Sequence, residues 1–180
     1  MVSMLKEIKF EQPRSFKFNE QNLAKAQEWI KKYPIGKQKS AVMPLLFIAQ
    51  EQHDNWIPIA AMDYIAELLD MPAMQVYEVA TFYTMFNKQP VGKNLIQVCR
   101  TTPCMLRGAK DITKACKQKL NIDLGETTQD RQFTLVEVEC LGACVAAPVV
   151  QVNNDYYENL TVSSVEALID RLSKNRRNKP

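Results

Sequence analysis

This 180-residue chain has no long apolar run, only one histidine and no large excess of charge of either sign. The longest apolar stretches, Ala41 to Ala49 and Val145 to Val150, fall far short of the roughly 20 residues a membrane-spanning helix needs, so direct membrane insertion is not expected. With His53 alone and neither a GxGxxG nor a Walker loop, little is left for acid–base catalysis or for cradling nucleotide phosphates. Lysine and arginine (23) barely outnumber aspartate and glutamate (20) and are scattered among them, which gives nucleic-acid binding little support. Residues 1–18 mix Lys, Glu and Arg without an apolar segment, so no secretory signal is expected and the five cysteines read as reduced thiols. What is present, 46% hydrophobic and 24% charged residues, is the profile of a folded chain long enough for a helical part and a separate α/β part.

Apolar positions recur at helical spacing from Gln21 to Phe86. They predict four short helices: one over Leu23 to Tyr33, one from an N-cap at Ser40, one from Pro58 with Ile59, Met62, Ile65, Ala66 and Leu69 on a stripe, and one opened by Pro72 with Val76, Val79, Ala80 and Tyr83 inward. Pro90 and Gly92 mark a linker, after which the pattern turns to short β-branched runs. Strands are expected at Leu95–Cys99, Phe133–Glu139, Pro148–Asn153 and Tyr156–Tyr157, the last two joined by a turn at Asn153-Asn154-Asp155. One helix is expected over Met105 to Leu120, with Leu106, Ala109, Ile112 and Cys116 on its buried face, and a final one carries Val162, Val165, Leu168, Ile169 and Leu172. The order β, α, β, β, β, α suits an α/β sandwich of the thioredoxin type. The fold class read here is therefore α+β: an N-terminal extension (1–18), a small helical bundle (19–88), a linker (89–93), the thioredoxin-like domain (94–173) and a basic tail (174–180).

The chemistry concentrates in Cys99-Arg-Thr-Thr-Pro-Cys104 and Cys140-Leu-Gly-Ala-Cys144, each pair sitting where a predicted strand gives way to a loop. If the two strands are neighbours, both loops open at one end of the sheet and the sulfurs converge on a four-thiolate site for iron–sulfur or zinc. Zinc sites usually staple small, core-poor modules, and this domain has apolar residues enough to fold without a metal, so iron–sulfur leads. Leu141, Val145, Ala146, Ala147 and Pro148 would wall the site against water, and Gly142 would let backbone N–H groups approach sulfur. Four cysteines without a CX2CX2C run fit a [2Fe-2S] centre. Buried structural thiols and a zinc-stabilised docking scaffold are the competing readings, whereas thioredoxin-type disulfide exchange would need a CX2C that is absent.

The CX4C and CX3C spacings, together with Val79-Ala-Thr-Phe-Tyr83, Gln89-Pro-Val-Gly92, Thr101 to Gly108 and Ala147-Pro148, resemble the thioredoxin-like [2Fe-2S] ferredoxin subunit of respiratory complex I over nearly the whole chain. The resemblance implies ligand roles for Cys99, Cys104, Cys140 and Cys144. It also implies an electron carrier with no catalytic residue of its own, a direct partner in the FMN- and NADH-binding subunit of complex I, and a neighbour in its large iron–sulfur subunit. FMN and NADH would be met only through that partner. The equivalent subunit of an NAD-reducing hydrogenase or formate dehydrogenase would carry the same motifs. The place implied is the bacterial cytoplasm at the inner face of the membrane, or the mitochondrial matrix side.

Other residues invite plainer readings. Cys116 reads as core, His53 as a capping or solvated residue after a helix, and Phe82, Tyr83 and Phe86 as core or partner interface in preference to a flavin box. Arg100 and Arg107 flank the ligand candidates and would raise a cluster potential if they point toward it.

Overall fold

The computed structural model describes residues 5–174 and divides them into two compact units, one over Glu7–Pro90 and the other over 91–174 with residues 5 and 6. Four helices build the first unit: α1 (Glu20–Lys31), α2 (Val42–Gln52), α3 (Ile59–Leu68) and α4 (Ala73–Phe82). Helix α1 starts three residues earlier than the apolar pattern predicts, because the Asn19 side chain accepts the Asn22 N–H and Glu20 faces the positive helix end. Ser40 caps nothing; it lies in a 3-10 turn, Gln38–Ala41, that runs straight into α2. Prolines 58 and 72 fill the N-cap positions of α3 and α4, where a missing N–H costs nothing.

The buried faces of these helices meet in one core of Ala26, Leu45, Leu46, Ala49, Met62, Ile65, Val76 and Ala80, with Phe86 behind them. Phe16 and Phe18, from the stretch read as an extension, pack edge-on against Tyr64. Two predicted core members are outside: Ile59, in the first turn of α3, and Tyr83, at the end of α4, are exposed. Phe82 is 77% exposed beside Tyr83, so of the three aromatics only Phe86 belongs to the core.

The second unit carries a four-stranded sheet in the order β2-β1-β3-β4, with β1 Asn94–Cys99, β2 Phe133–Val138, β3 Val150–Val152 and β4 Asp155–Tyr157. Strand β1 lies parallel to β2 and antiparallel to β3, and β3–β4 is the hairpin expected from the Asn-Asn-Asp turn. Asn153, left-handed at φ 53°, tolerates that turn because a short amide side chain can enter it. The α-helical span expected as one is two, α5 (Thr102–Leu106) and α6 (Ala109–Leu120), divided by Gly108 at φ 95°. That break turns Leu106 out to 75% exposure, off the apolar face where it was expected.

Ile112, Ala115 and Cys116 of α6 and Val165, Leu168 and Ile169 of α7 (Val162–Lys174) cover the sheet face made by Ile96, Val98, Phe133, Leu135, Val150 and Val152. Alternation along each strand puts those six on one side, so both long helices pack on the same face. Except for Lys174, the basic tail expected over 174–180 lies outside the described residues. No described helix is long and apolar enough to cross a membrane.

Candidate metal centre

Cys99 ends β1 and Val138, its partner in the parallel register, ends β2, so the segments that follow leave the sheet at the same end. The Arg100 N–H donates to the Val138 carbonyl at 3.0 Å and ties the two exits together. Beyond β1 the chain turns into α5 and carries Cys104 back toward Cys99, and beyond β2 it forms the loop that holds Cys140 and Cys144. The condition set by the sequence, that the two strands be neighbours, is met.

The four thiols form two pairs of unlike character. Cys99 and Cys104 are 2% and 1% exposed, enclosed by Ala109, Ala147 and Val149 with Leu141 and Ala143 packed against them. Cys140 and Cys144 are exposed, their sulfurs 3.5 Å apart, and the Gly142 N–H donates to the Cys140 sulfur at 3.4 Å. All are free thiols. The apolar wall expected around the site lacks one member: Leu141, Ala146, Ala147 and Pro148 face inward, whereas Val145 is 100% exposed.

Burial pushes the Cys99 thiol up, but N–H groups of Leu141 and Thr101 and the hydrogens of the Cys104 thiol and Thr101 hydroxyl point at its sulfur, and the balance lowers its pKa. Cys104 goes the other way, pushed up to about 11 by burial and by its role as donor to Cys99. Cys144 is raised by its hydrogen bond to Cys140, then by burial and by the charges of Cys140 and Cys99. Cys99 acts on both Cys104 and Cys144, and Cys144 on Cys104, so sulfurs of both pairs lie within electrostatic reach. A bound cation would draw off the thiol protons.

Among the described residues no three His, Cys, Asp or Glu side chains stand ready-gathered as ligands of one metal ion. Two sulfur pairs meet the demand of a binuclear centre, one pair per iron, better than that of a single tetrahedral ion. Two thiolates about 2.3 Å from one tetrahedral metal lie about 3.8 Å apart, a spacing that the Cys140–Cys144 pair, at 3.5 Å, nearly has. The donor set and the spacing thus fit a [2Fe-2S] cluster.

Of the other residues singled out in the sequence, some meet expectation and some depart from it. Arg100 reaches Glu139, Nε to Oε1 at 3.9 Å, so part of its charge is met at home, and Arg107 is exposed. Cys116 lies in the α6 core, fully buried, with burial lifting its thiol to about 12. His53 caps α2 with its backbone, as expected, while its half-buried ring meets Trp56 and Phe16 edge-on and its buried Nδ1 has no hydrogen-bond partner among the described residues. One contact at the site escaped the sequence reading: the Tyr156 phenol donates to the Leu141 carbonyl at 3.0 Å. A backbone acceptor leaves no trace in side-chain spacing, and only the presence of a tyrosine in the last short strand hinted at it.

Comparison with known proteins points the same way. The sequence matches the family described as thioredoxin-like [2Fe-2S] ferredoxin over residues 26–173. It is 58% identical over 158 residues to a protein of Rickettsia bellii named as a subunit of NADH-quinone oxidoreductase, covering 88% of this chain and 95% of that one. It is 51% identical over 161 residues to the mitochondrial NADH dehydrogenase [ubiquinone] flavoprotein 2 of Dictyostelium discoideum, covering 89% and 65%. Among solved structures, an NAD+-reducing [NiFe]-hydrogenase superposes with a TM-score of 0.63 at 19% identity, over 75% of this chain and 24% of that one, a likeness of fold alone. With its profile matched across most of its length and its relatives more than half identical, the chain belongs to the thioredoxin-like [2Fe-2S] ferredoxin family.

Proposed function

We propose that this chain is the electron-transfer subunit of an NADH-quinone oxidoreductase, in which Cys99, Cys104, Cys140 and Cys144 hold one [2Fe-2S] cluster. The observation that carries the reading is the parallel register of Cys99 with Val138, which brings two distant cysteine loops to one sheet end. Relatives at 51–58% identity, named as subunits of that oxidoreductase, favour it over a hydrogenase or formate dehydrogenase, since the hydrogenase likeness is one of fold. A bound [2Fe-2S] cluster supplies a site that takes up and releases one electron. The chain's own residues supply the rest. Leu141 and Thr101 N–H groups favour negative charge on the Cys99 sulfur, and the apolar surroundings of Cys99 and Cys104 keep water from half of the site. Cys140, Cys144 and the bare Val145 form its open side, where a partner's redox group would come nearest.

Hydride chemistry falls to that partner, the FMN- and NADH-binding subunit, because this chain has no loop for nucleotide phosphates. The large iron–sulfur subunit is the second neighbour, and the place is the cytoplasmic face of a bacterial inner membrane or the matrix face of a mitochondrial one, reached through the complex. Anaerobic purification tests the reading. A red-brown chain with about two irons and two sulfides, and a spin signal after reduction, is expected. It should also co-purify with the flavin subunit. A colourless chain that carries zinc and shows no reducible signal would refute it.

A further inference from the structure

The residue between the two sulfur pairs is held from both sides. Leu141 follows Cys140, packs against the buried Cys99 and Cys104, and accepts the Tyr156 phenol on its carbonyl at 3.0 Å. Tyr156 comes from the far edge of the sheet. Strand β4 is antiparallel to β3, which is antiparallel to β1, so β4 ends at the sheet end from which the cysteine loops depart. Tyr156 pairs with Gln151 in that register, and the residue is 47% exposed. A ring this exposed adds little to the core; its one hydrogen bond to the loop is its distinctive contact.

We propose that Tyr156 is a positioning residue for the metal centre, clamping the Cys140–Cys144 loop through the Leu141 carbonyl and thereby keeping Leu141 packed over Cys99 and Cys104. The proposal rests on the cluster reading above. The clamp joins the exposed ligand pair to the buried one, so its loss acts on both. The loop loses an anchor and opens more often, and water gains access to the sulfurs that Leu141 covers, which favours the more negative reduced state of the centre. Both effects arise without any change in the ligands.

The test compares the full-length wild type with Tyr156→Phe, which deletes one hydroxyl and keeps the ring. Thermal melting and circular dichroism establish that the variant folds. At unchanged iron and sulfide content, three changes are expected: shifted g-values in the spin signal of the reduced protein, a less negative midpoint potential, and release of iron to a ferrous chelator about fivefold faster, the ratio that one ordinary hydrogen bond supplies. In the ligand-free chain, amide exchange over residues 140–144 should accelerate by about the same factor. A wild type that holds iron and sulfide while Tyr156→Phe matches it in every readout overturns the role of Tyr156 and leaves the cluster reading standing. A wild type that holds neither overturns both.

Discussion

Cys99 and Val138 stand opposite each other at the ends of two parallel strands, and the Arg100 N–H closes the gap to the Val138 carbonyl at 3.0 Å. Everything at the sulfur site follows from that register. A slip by one residue would turn Cys99 to the opposite face of the sheet and scatter the two loops.

Ligand variants separate the four site thiols from the fifth. Cys99→Ala and Cys140→Ala should each leave the chain without an intact cluster, read as lost visible absorption and lost iron. Cys116→Ala should keep both, at a stability cost of about 1 kcal/mol, because a fully buried thiol in the α6 core behaves as a small hydrophobe. With its thiol lifted to about 12, Cys116 should also resist alkylation in the native chain at neutral pH. Equal iron loss from Cys116→Ala and Cys140→Ala would sink this assignment.

Gly92 is where the backbone tolerates no side chain. A Cβ there would lie 2.5 Å from the Phe133 carbonyl carbon and 2.8 Å from the Thr134 nitrogen, both rigid parts of β2. Gly92→Ala should therefore lower stability by about 3 kcal/mol in urea titration. Thr134, fully buried, accepts the Gly92 N–H at 2.6 Å, and Thr134→Val should cost about 2 kcal/mol by stranding that donor. Unchanged midpoints in both variants would mean that this close approach is not needed.

What could be read from the sequence, and what could not, divides along physical lines. The strands and the two cysteine pairs were legible because β-branched runs and CX4C and CX3C spacings are local patterns. Even the conditional step held, since a strand, a helix and a second strand usually pair in parallel. The break between α5 and α6 was missed although Gly108 was in plain view, because a glycine inside a helical pattern is as often tolerated as not. The exposure of Val145 was illegible, since an apolar residue beside a ligand says nothing about which way it faces. So was Tyr156, whose contact with Leu141 depends on how far β4 reaches across the sheet.

Acid should loosen the turn after α6. Lys117 binds Asp123, and Lys6 binds Glu126 at 2.7 Å. Hydrogen bonding to these lysines holds both carboxyls below their ordinary values of 3.8 and 4.5. Groups with depressed pKa values contribute stability above the ordinary values and lose it as pH falls through the folded ones, so the decline should begin near 4.5 and steepen below it. Lys6 is shifted upward, so its share persists below 10.5 and fades only as pH climbs through its folded value. Glu126→Gln should flatten the acid limb of a urea-midpoint series, and high salt should do the same, because these pairs are open to solvent. A series as steep in Glu126→Gln as in wild type would remove Glu126 from the cause.

The last prediction concerns the charge beside Cys99. Arg100 follows that ligand directly, and its guanidinium reaches Glu139 at 3.9 Å, while the Thr101 hydroxyl reaches the same carboxylate at 3.4 Å. At this distance and exposure the pair adds little to stability, yet the two charges still act on the potential at the sulfurs. Glu139→Gln keeps an acceptor for Thr101 and leaves Arg100 less compensated, which favours the more negative reduced centre. The midpoint potential should rise by something on the order of 20 mV at low salt. Arg100→Gln should lower it by a similar amount, and the double variant should return near wild type, with all three shifts shrinking as salt is added. Shifts of one sign in both single variants would mean that loop geometry, and not charge, governs the potential here.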